Sequence, residues 1–564
     1  MFQTGSILWL AVGASLLGMV MRVAIPPFTW LALTFLLHAS RSMPAMKAVP
    51  VLWLGLYAAA AFGNRDSIPV SGAVYFAIAA FIATTLTVPF VIDRLAASRL
   101  GGLGSTLIFP MAYVGIEFVR SRFVPGATWG SIAYTQYGYL PLMQLAAFAG
   151  IWGITFLIAW FGSTFEMAWN RGFDWNVVRG PVLAYATALG AVIVGGSLRL
   201  AFAPTDGASI RVAAVNRPVD LFLPGEMTRI AEGSVSSGEL PGLANKLTRL
   251  HDWFLEGSRR ESRAGARFIV WPEQMLLIFQ EDEPRFLDRA QRLASEEGVY
   301  LAMGMGTIHL GQRLPFENKL VLIDPSGKII LSYLKTHPVF GWEAGIMRRG
   351  DGRLPVVATR YGRVAAAICY DADFPEFIRQ AGQQSADMLI VTANEWRQIK
   401  SVHAQMAAFR AIENGVPLVR PAASGISSAF DAWGRVLGVA DYFAPGDGTL
   451  TVQVAMGGVP TLYSRIGDLF AWLCVAGLVI AAGFAMIGQN EAMAQVLGYG
   501  LSGRSRRVIG IPLCAFGIVA VWACTELTIR SVVGFLNQTV KEQFVRASQI
   551  PAAQGAERIR DEPF

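Results

Sequence analysis

Three short segments of this chain carry residue types that chemistry can use, each at the close of an apolar run. Cys369 follows Val364-Ala365-Ala366-Ala367-Ile368 and precedes Tyr370-Asp371-Ala372-Asp373-Phe374-Pro375, with a helix predicted over 376–383. A strand that stops on a nucleophile before a sharp turn into a helix exposes that side chain at its C-terminal edge, where a thiol suits attack on a carbonyl or nitrile carbon. Glu273 closes Arg267-Phe268-Ile269-Val270-Trp271-Pro272. The proline stops the strand. The ring and apolar run beside the carboxylate would desolvate it, which makes it a better proton acceptor near neutral pH. Lys335 emerges from a strand predicted over 329–334, the second arm of a hairpin that follows the turn Asp324-Pro325-Ser326-Gly327. A cation beside a thiol favours the thiolate, and an ammonium also stabilises a tetrahedral oxyanion. Taken singly, a small core residue, a surface glutamate and a solvated lysine account for the three segments as well.

The elements that must position these groups occupy only part of the chain. Of 564 residues 15% are charged, where a soluble domain carries about 25%. With 53% hydrophobic residues, the excess apolar surface must face lipid, and the same richness excludes disorder. Four cysteines are too few for a disulfide-built scaffold. Apolar runs near the roughly 20 residues that span a bilayer lie at 5–21, 23–40, 48–64, 67–92, 103–119 (with Glu117 inside), 138–165 and 180–198. From 204 to about 457 the pattern changes to short apolar runs broken by Gly, Pro and charge, which reads as one soluble α/β domain. Apolar runs return at 469–488 and 508–525. The expected organisation is therefore a membrane domain of about seven helices at 1–204, a soluble domain at 205–457, one or two membrane helices within 458–536 and a polar tail at 537–564.

Met1-Phe2-Gln3-Thr4 has no basic n-region, so the first apolar segment is expected to stay in place as a helix. With a cytoplasmic N-terminus, the loops then inside hold nine basic residues against six outside. That tilt agrees with the odd number of leading spans and puts the soluble domain on the outer face of a cytoplasmic membrane. The cluster Arg504, Arg506 and Arg507 is the firmest inside anchor. The net charge of +7 is expected to reflect basic loops meeting anionic headgroups rather than nucleic acid. Of Cys369, Cys474, Cys514 and Cys524, the soluble domain holds Cys369 alone, so it forms no internal disulfide. A lone thiol there is either inert and buried or a reactive group.

Together the three segments say more than each alone. A glutamate, a lysine and a cysteine, each closing a strand and in that order, resemble the triad of the nitrilase (carbon–nitrogen hydrolase) superfamily over roughly 209–455. The resemblance implies a four-layer αββα sandwich with Glu273 as general base, Lys335 stabilising the oxyanion and Cys369 forming an acyl thioester. It implies no metal and no organic cofactor. Asn394-Glu395-Trp396, a helix from about Ser401 through His403, Arg410 and Glu413 to its stop at Gly415, and Ala422 to Ser427 extend the match. In that superfamily these segments are structural supports and pocket walls, which makes Asn394 and Trp396 pocket candidates. For Arg410 and Glu413 an ion pair on a helix face is the simplest explanation.

A domain of this kind set between apolar spans resembles the bacterial apolipoprotein N-acyltransferase family. Phe109-Pro110, Glu117 through Ser121, Leu140 through Ala146 and Gly150 through Phe156 look like that family's membrane segments, and Glu343 matches its second functional glutamate. Such a protein moves an acyl chain from a phospholipid, through a cysteine thioester, to the α-amino group of a diacylglyceryl-cysteine lipoprotein. A thioester must be shielded from water, which favours apolar walls and a lid. Trp342 to Met347 and the loop 272–284, with Met275 and Phe279, are the lid candidates. Tyr370 and Asp371 are expected to support the triad, although the family usually has glutamate at the position of Asp371. Asn394-Glu395-Trp396-Arg397-Gln398 replaces the family's asparagine-aspartate-alanine-tryptophan-phenylalanine, so the departures cluster around the substrate pocket. The alternative activity is a membrane-tethered nitrilase-type amidase. A scaffold that has lost activity is opposed by the presence of all three triad residues. Spans on both sides of the domain favour a monomer.

Overall fold

A computed structural model describes residues 4–204, 208–216, 240–309, 312, 314–340, 343–446 and 448–481. These fall into two compact units, one holding the chain up to Ala203 with the stretch from Ile466, the other Pro204–Arg465.

The first unit is helical. Thr4–Val20, Pro26–Ser42, Ala45–Gly63, Gly72–Ala96, Gly102–Phe123, Ala146–Asn170 and Trp175–Ala201 are its long helices among the described residues. The last five are long and apolar enough to cross a membrane, and Leu469–Ala481 is a shorter apolar helix. The remainder of the run at 469–488 and all of 508–525 lie outside the described residues. The buried carboxylates of this unit, Asp93, Glu117, Glu166 and Asp468, each have hydrogen-bond or ion-pair partners, as a medium without water demands. Glu117 accepts hydrogen bonds from Ser131 Oγ at 2.9 Å, Thr155 Oγ1 at 2.9 Å and the Ile132 amide at 3.1 Å. Asp468 accepts from Trp152 Nε1 at 2.8 Å and from Arg122 at 2.7 Å. Arg41, counted as a loop cation from sequence, instead lies in the last turn of its helix and pairs with Asp93 at 2.8 Å and with Glu166.

The second unit winds the same α/β pattern twice. Its first half supplies β1 (Ser209–Ala214), β2 (Phe268–Val270), β3 (Leu276–Phe279), β4 (Tyr300–Ile308), β5 (Phe316–Ile323) and β6 (Ile329–Leu334). The second half supplies β7 (Val356–Thr359), β8 (Gly362–Ile368), β9 (Met388–Asn394), β10 (Leu418–Arg420), β11 (Ala422–Ala423), β12 (Ile426–Phe430) and β13 (Val436–Asp441), before β14 (Leu450–Ala455) returns to the first sheet. The sheet orders are β14-β1-β2-β4-β5-β6, with β3 beside β4, and β13-β12-β10-β9-β8-β7, with β11 beside β9. Parallel neighbours need crossover connections. Helices Leu240–Arg263 and Glu283–Glu297 make them in the first half, and Pro375–Gln383 and Lys400–Asn414 in the second. The sheets meet through bonds such as Asn216 Nδ2 to the Ala422 carbonyl at 2.7 Å and the Arg360 amide to Tyr300 Oη at 2.9 Å. The result is the αββα sandwich expected from sequence.

Local signals explain the boundaries. The hairpin between β5 and β6 turns at Gly327, with φ of 84°, while Asp324 Oδ1 accepts from the amides of Ser326 and Lys328. Helix Lys400–Asn414 ends on Gly415 in the left-handed region. One expectation changes, and another is met inside the core. The 272–284 segment is not a loop throughout: Leu276–Phe279 is β3, paired in parallel with β4, because four successive apolar residues find a sheet edge to bury against. Arg410 and Glu413 do form an ion pair, at 3.1 Å, but both side chains are fully buried rather than on an outer helix face.

One close approach positions the site. A methyl on Gly304 of β4 would lie 2.2 Å from the Pro272 carbonyl oxygen and 2.7 Å from Glu273 Cα. Gly304→Ala should therefore displace the Glu273 segment, lower stability by about 1–3 kcal/mol and slow turnover. Thermal unfolding and rate measurements on the full-length variant check this, and unchanged values for both would contradict the contact.

Candidate active site

The three strand-end residues converge. Glu273 stands three residues past β2, Lys335 directly follows β6 and Cys369 directly follows β8. Lys335 Nζ lies 2.8 Å from Glu273 Oε1 and 2.8 Å from Glu343 Oε2. Cys369 Sγ lies 3.6 Å from the Asn394 carbonyl oxygen. The cysteine's φ of 47° puts a non-glycine residue in the left-handed region, a strained turn that aims a side chain off the strand end.

Each group is oriented by others. Glu273 Oε1 also accepts from Asn318 Nδ2 at 2.6 Å, and its Oε2 from the Asn394 amide at 2.8 Å. Glu343 Oε2 accepts from the Val339 amide at 2.7 Å. Asp371, with no exposed surface, accepts from Tyr333 Oη at 2.7 Å, the His337 amide at 2.8 Å, His337 Nδ1 at 2.9 Å and the Ile368 amide at 3.2 Å. The shorter aspartate thus ties the turn that carries Cys369 to the segment that carries Lys335.

Burial dominates the electrostatics. Desolvation works against the Lys335 ammonium, but the adjacent Glu273 and Glu343 carboxylates outweigh it and hold the amine protonated. Desolvation pushes the Glu343 carboxyl upward, opposed by Lys335. The Cys369 thiol is driven well above its ordinary range by burial first and by the charge of Glu273 next, with Lys335 pulling the other way. That direction favours the protonated thiol, and a thiol attacks a carbonyl only with a base that takes its proton as the new bond forms.

The other expected residues fall out differently. Asn394 contributes through its backbone, which reaches both Glu273 and Cys369. Trp396 is half-buried, and its Nε1 is buried without a hydrogen-bond partner among the described residues. Tyr370 packs edge-on to Phe374 at 5.1 Å. Met275 sits in the apolar cluster around Trp271, and Phe279 in one with Leu277, Ile308 and Phe316. Met275 immediately precedes β3 and Phe279 closes it, and both side chains are buried in these clusters. Trp342 lies outside the described residues. Sequence reading missed Asn318, whose signal was a polar Glu317-Asn318-Lys319 run inside an otherwise apolar strand. It also treated His403 only as part of a supporting helix and gave Arg420 no role of its own. His403 bridges Asp373 at 2.7 Å and Glu395 at 2.6 Å, and Arg420 pairs with the same Glu395. Among the described residues, no group of three or more His, Cys, Asp or Glu is arranged to hold a metal ion.

With this geometry in place, the comparisons with known proteins become informative. Residues 235–462 match the carbon-nitrogen hydrolase family, and residues 5–164 match the apolipoprotein N-acyltransferase N-terminal domain. An apolipoprotein N-acyltransferase of Geobacter metallireducens is 31% identical over 411 residues, 68% of this chain and 75% of that protein. One from Bradyrhizobium diazoefficiens is 28% identical over 396 residues, 65% of this chain and 71% of the other. Among solved structures, an amidase from Nesterenkonia sp. covers 48% of this chain and 97% of its own at 20% identity and a TM-score of 0.37. Membrane-length helices joined to a carbon-nitrogen hydrolase domain define a multi-pass membrane enzyme of the nitrilase superfamily. More narrowly, the chain belongs to the apolipoprotein N-acyltransferase family.

Two outcomes follow from the charges. Lys335→Met leaves two buried carboxylates without their cation and should cost about 3–5 kcal/mol. Combining it with Glu343→Gln should recover part of that loss, and a single variant as stable as the unaltered protein would rule the pairing out. His403 carries the second test. Burial opposes its charge, but Asp373 and Glu395 outweigh burial and raise its pKa from 6.5 to about 9. The folded state therefore binds this proton more tightly than the unfolded chain. The resulting stabilisation is complete below pH 6.5 and lost as pH rises through about 9. The advantage of the unaltered protein over His403→Gln in thermal unfolding should shrink across that window by on the order of 3 kcal/mol. An advantage that holds constant or grows with pH would contradict it.

Proposed function

We propose that this protein moves a fatty acyl chain from a phospholipid, through a thioester on Cys369, to the N-terminal amine of a diacylglyceryl-cysteine lipoprotein. In the first half-reaction Glu273 takes the Cys369 proton while sulfur attacks the ester carbonyl. The Lys335 ammonium stabilises the oxyanion, and collapse expels the lysophospholipid alkoxide, which leaves with the proton held by Glu273. In the second half the lipoprotein amine attacks the thioester, Glu273 accepts the amine proton, and the thiolate departs and is reprotonated. Glu343 keeps Lys335 charged and in place throughout. The observation that carries this reading is the juxtaposition of Glu273, Lys335 and Glu343 beside a protonated, buried Cys369 in a chain of this family.

The protein is placed by the same reading in the bacterial inner membrane, as a monomer, with the catalytic unit on the periplasmic face. Substrates anchored in that leaflet then reach the site by diffusion in two dimensions. The supports are the basic cluster at Arg504 to Arg507 and the odd number of leading apolar runs.

Incubating the full-length protein with phospholipid should give a fatty-acyl mass adduct by intact-mass spectrometry that Cys369→Ala abolishes. Glu273→Gln should slow its formation by about 10²–10⁴-fold, and Lys335→Met by about 10²–10³-fold. Complementation of a strain depleted of its own lipoprotein N-acyltransferase, scored by N-acylation of a reporter lipoprotein, checks the acceptor. Release of ammonia from a small amide with no acyl adduct would instead favour the amidase activity.

A further inference from the structure

Directly behind the nucleophile lies a second buried ionic group that the acyl transfer does not consume. It comprises Asp373, Glu395, His403 and Arg420, none more than 7% exposed. His403 projects from helix Lys400–Asn414 with Nε2 2.7 Å from Asp373 Oδ1 and Nδ1 2.6 Å from Glu395 Oε1. Ionised carboxylates only accept hydrogen bonds, so an imidazole hydrogen-bonded to Asp373 through Nε2 and ion-paired with Glu395 on its Nδ1 side is favoured as the cation. Arg420 adds a second positive charge on Glu395, and the four charges cancel.

The positions of the two carboxylates give the arrangement its meaning. Asp373 closes the single turn Cys369–Asp373 that begins with the nucleophile. Glu395 directly follows Asn394, whose amide holds Glu273 Oε2 and whose carbonyl meets Cys369 Sγ. The imidazolium therefore spans from the nucleophile's turn to the end of β9 that orients the base. The fit around Glu395 is tight, since a methyl on Gly425 would lie 2.2 Å from its Oε2. Four ionisable groups in a core are expensive to desolvate, and apolar residues of similar volume stabilise as well or better. What such residues could not do is fix one distance between two segments through a rigid ring with a nitrogen at each side.

We propose that His403 is a positioning residue for acyl transfer, and that by hydrogen-bonding Asp373 through Nε2 and pairing as a cation with Glu395 on its Nδ1 side it holds the Cys369 turn at the distance from β9 at which Glu273 can take the thiol proton. This rests on the reading of Cys369 as the acyl-carrying nucleophile. The consequence is specific: losing the bridge leaves donor binding alone and slows the step in which sulfur attacks.

The test uses full-length protein in detergent micelles, with His403→Gln, whose neutral amide cannot pair with Glu395 as a cation, Asp373→Asn, which keeps the volume should the first variant fail to fold, and the double variant. Formation of the Cys369 acyl adduct is followed by mass spectrometry against phospholipid concentration, and alkylation of Cys369 by iodoacetamide is followed without phospholipid. Each single variant should acylate about 10–100-fold more slowly at saturating donor, with half-saturation unchanged within about twofold and alkylation slowed as well. The double variant should be no slower than the slower single variant, since all three changes break one bridge. Acylation within about twofold of the unaltered rate overturns the proposal. So does a loss confined to half-saturation, a double variant whose losses multiply, or a loss that vanishes when the rate is expressed per folded molecule. If the unaltered protein forms no acyl adduct, the acyltransferase reading fails, and the alkylation rates alone then decide the role of His403.

Discussion

Lys335 carries an ammonium into a place where it is 1% exposed, and the carboxylates of Glu273 and Glu343, each 2.8 Å from its nitrogen, keep it charged there. Three formal charges in a dry site would be prohibitive unless each found partners at hydrogen-bond distance. That requirement reaches outward. Glu273 needs the Asn318 side chain and the Asn394 amide, so β5 and β9 must both deliver a donor to one point. Glu343 needs the Val339 amide, so the segment after Lys335 must fold back on itself. Two sheets brought face to face can place donors from strands so distant in sequence, which is why the sandwich and the site are hard to consider separately.

Cys369 is governed by the same dryness with the opposite sign. Burial and the nearby Glu273 charge hold Cys369 as a thiol, and Lys335 does not overcome them. On the acyl-transfer reading this is useful rather than defective. A dry site shields the acyl-cysteine thioester from hydrolysis, and a thiol that is deprotonated only as it attacks ties reactivity to the presence of a correctly placed carbonyl. The left-handed turn at Cys369 is braced by Asp371, whose four accepted hydrogen bonds come from Tyr333 of β6, from His337 and from Ile368 of β8.

Much of this was legible because the decisive residues carry local punctuation. Pro272 stops the segment before Glu273, the Asp324–Gly327 turn sets up the strand that ends before Lys335, and an unbroken apolar run ends on Cys369. What escaped reading is non-local. Asn318 lies 45 residues from the carboxylate it serves, and His403 lies 30 from Asp373. No window of sequence contains either pair. The segment holding Met275 and Phe279 meets a related limit: an apolar run beside a polar site reads alike whether it covers substrate or pairs into a sheet, and here Leu276–Phe279 pairs with β4. The spacing of Arg410 and Glu413 reported that they share a helix face but not that the face is buried.

The membrane unit applies the principle in a different solvent. Helices in lipid gain nothing from hiding apolar surface, because the lipid is as apolar as they are, so their association depends on close packing and on polar contacts. Arg41 between Asp93 and Glu166 joins three helices at their ends, and Glu117 draws Ser131, Thr155 and the Ile132 amide together. In such a medium an unmatched charge is costlier than in a water-bathed core, so every buried ion also acts as a restraint on geometry. The 15% of charged residues is therefore spent unevenly. Few charges appear in the helices, and those that are buried there fix one helix against another, as Lys335 and its carboxylates fix one strand end against the next.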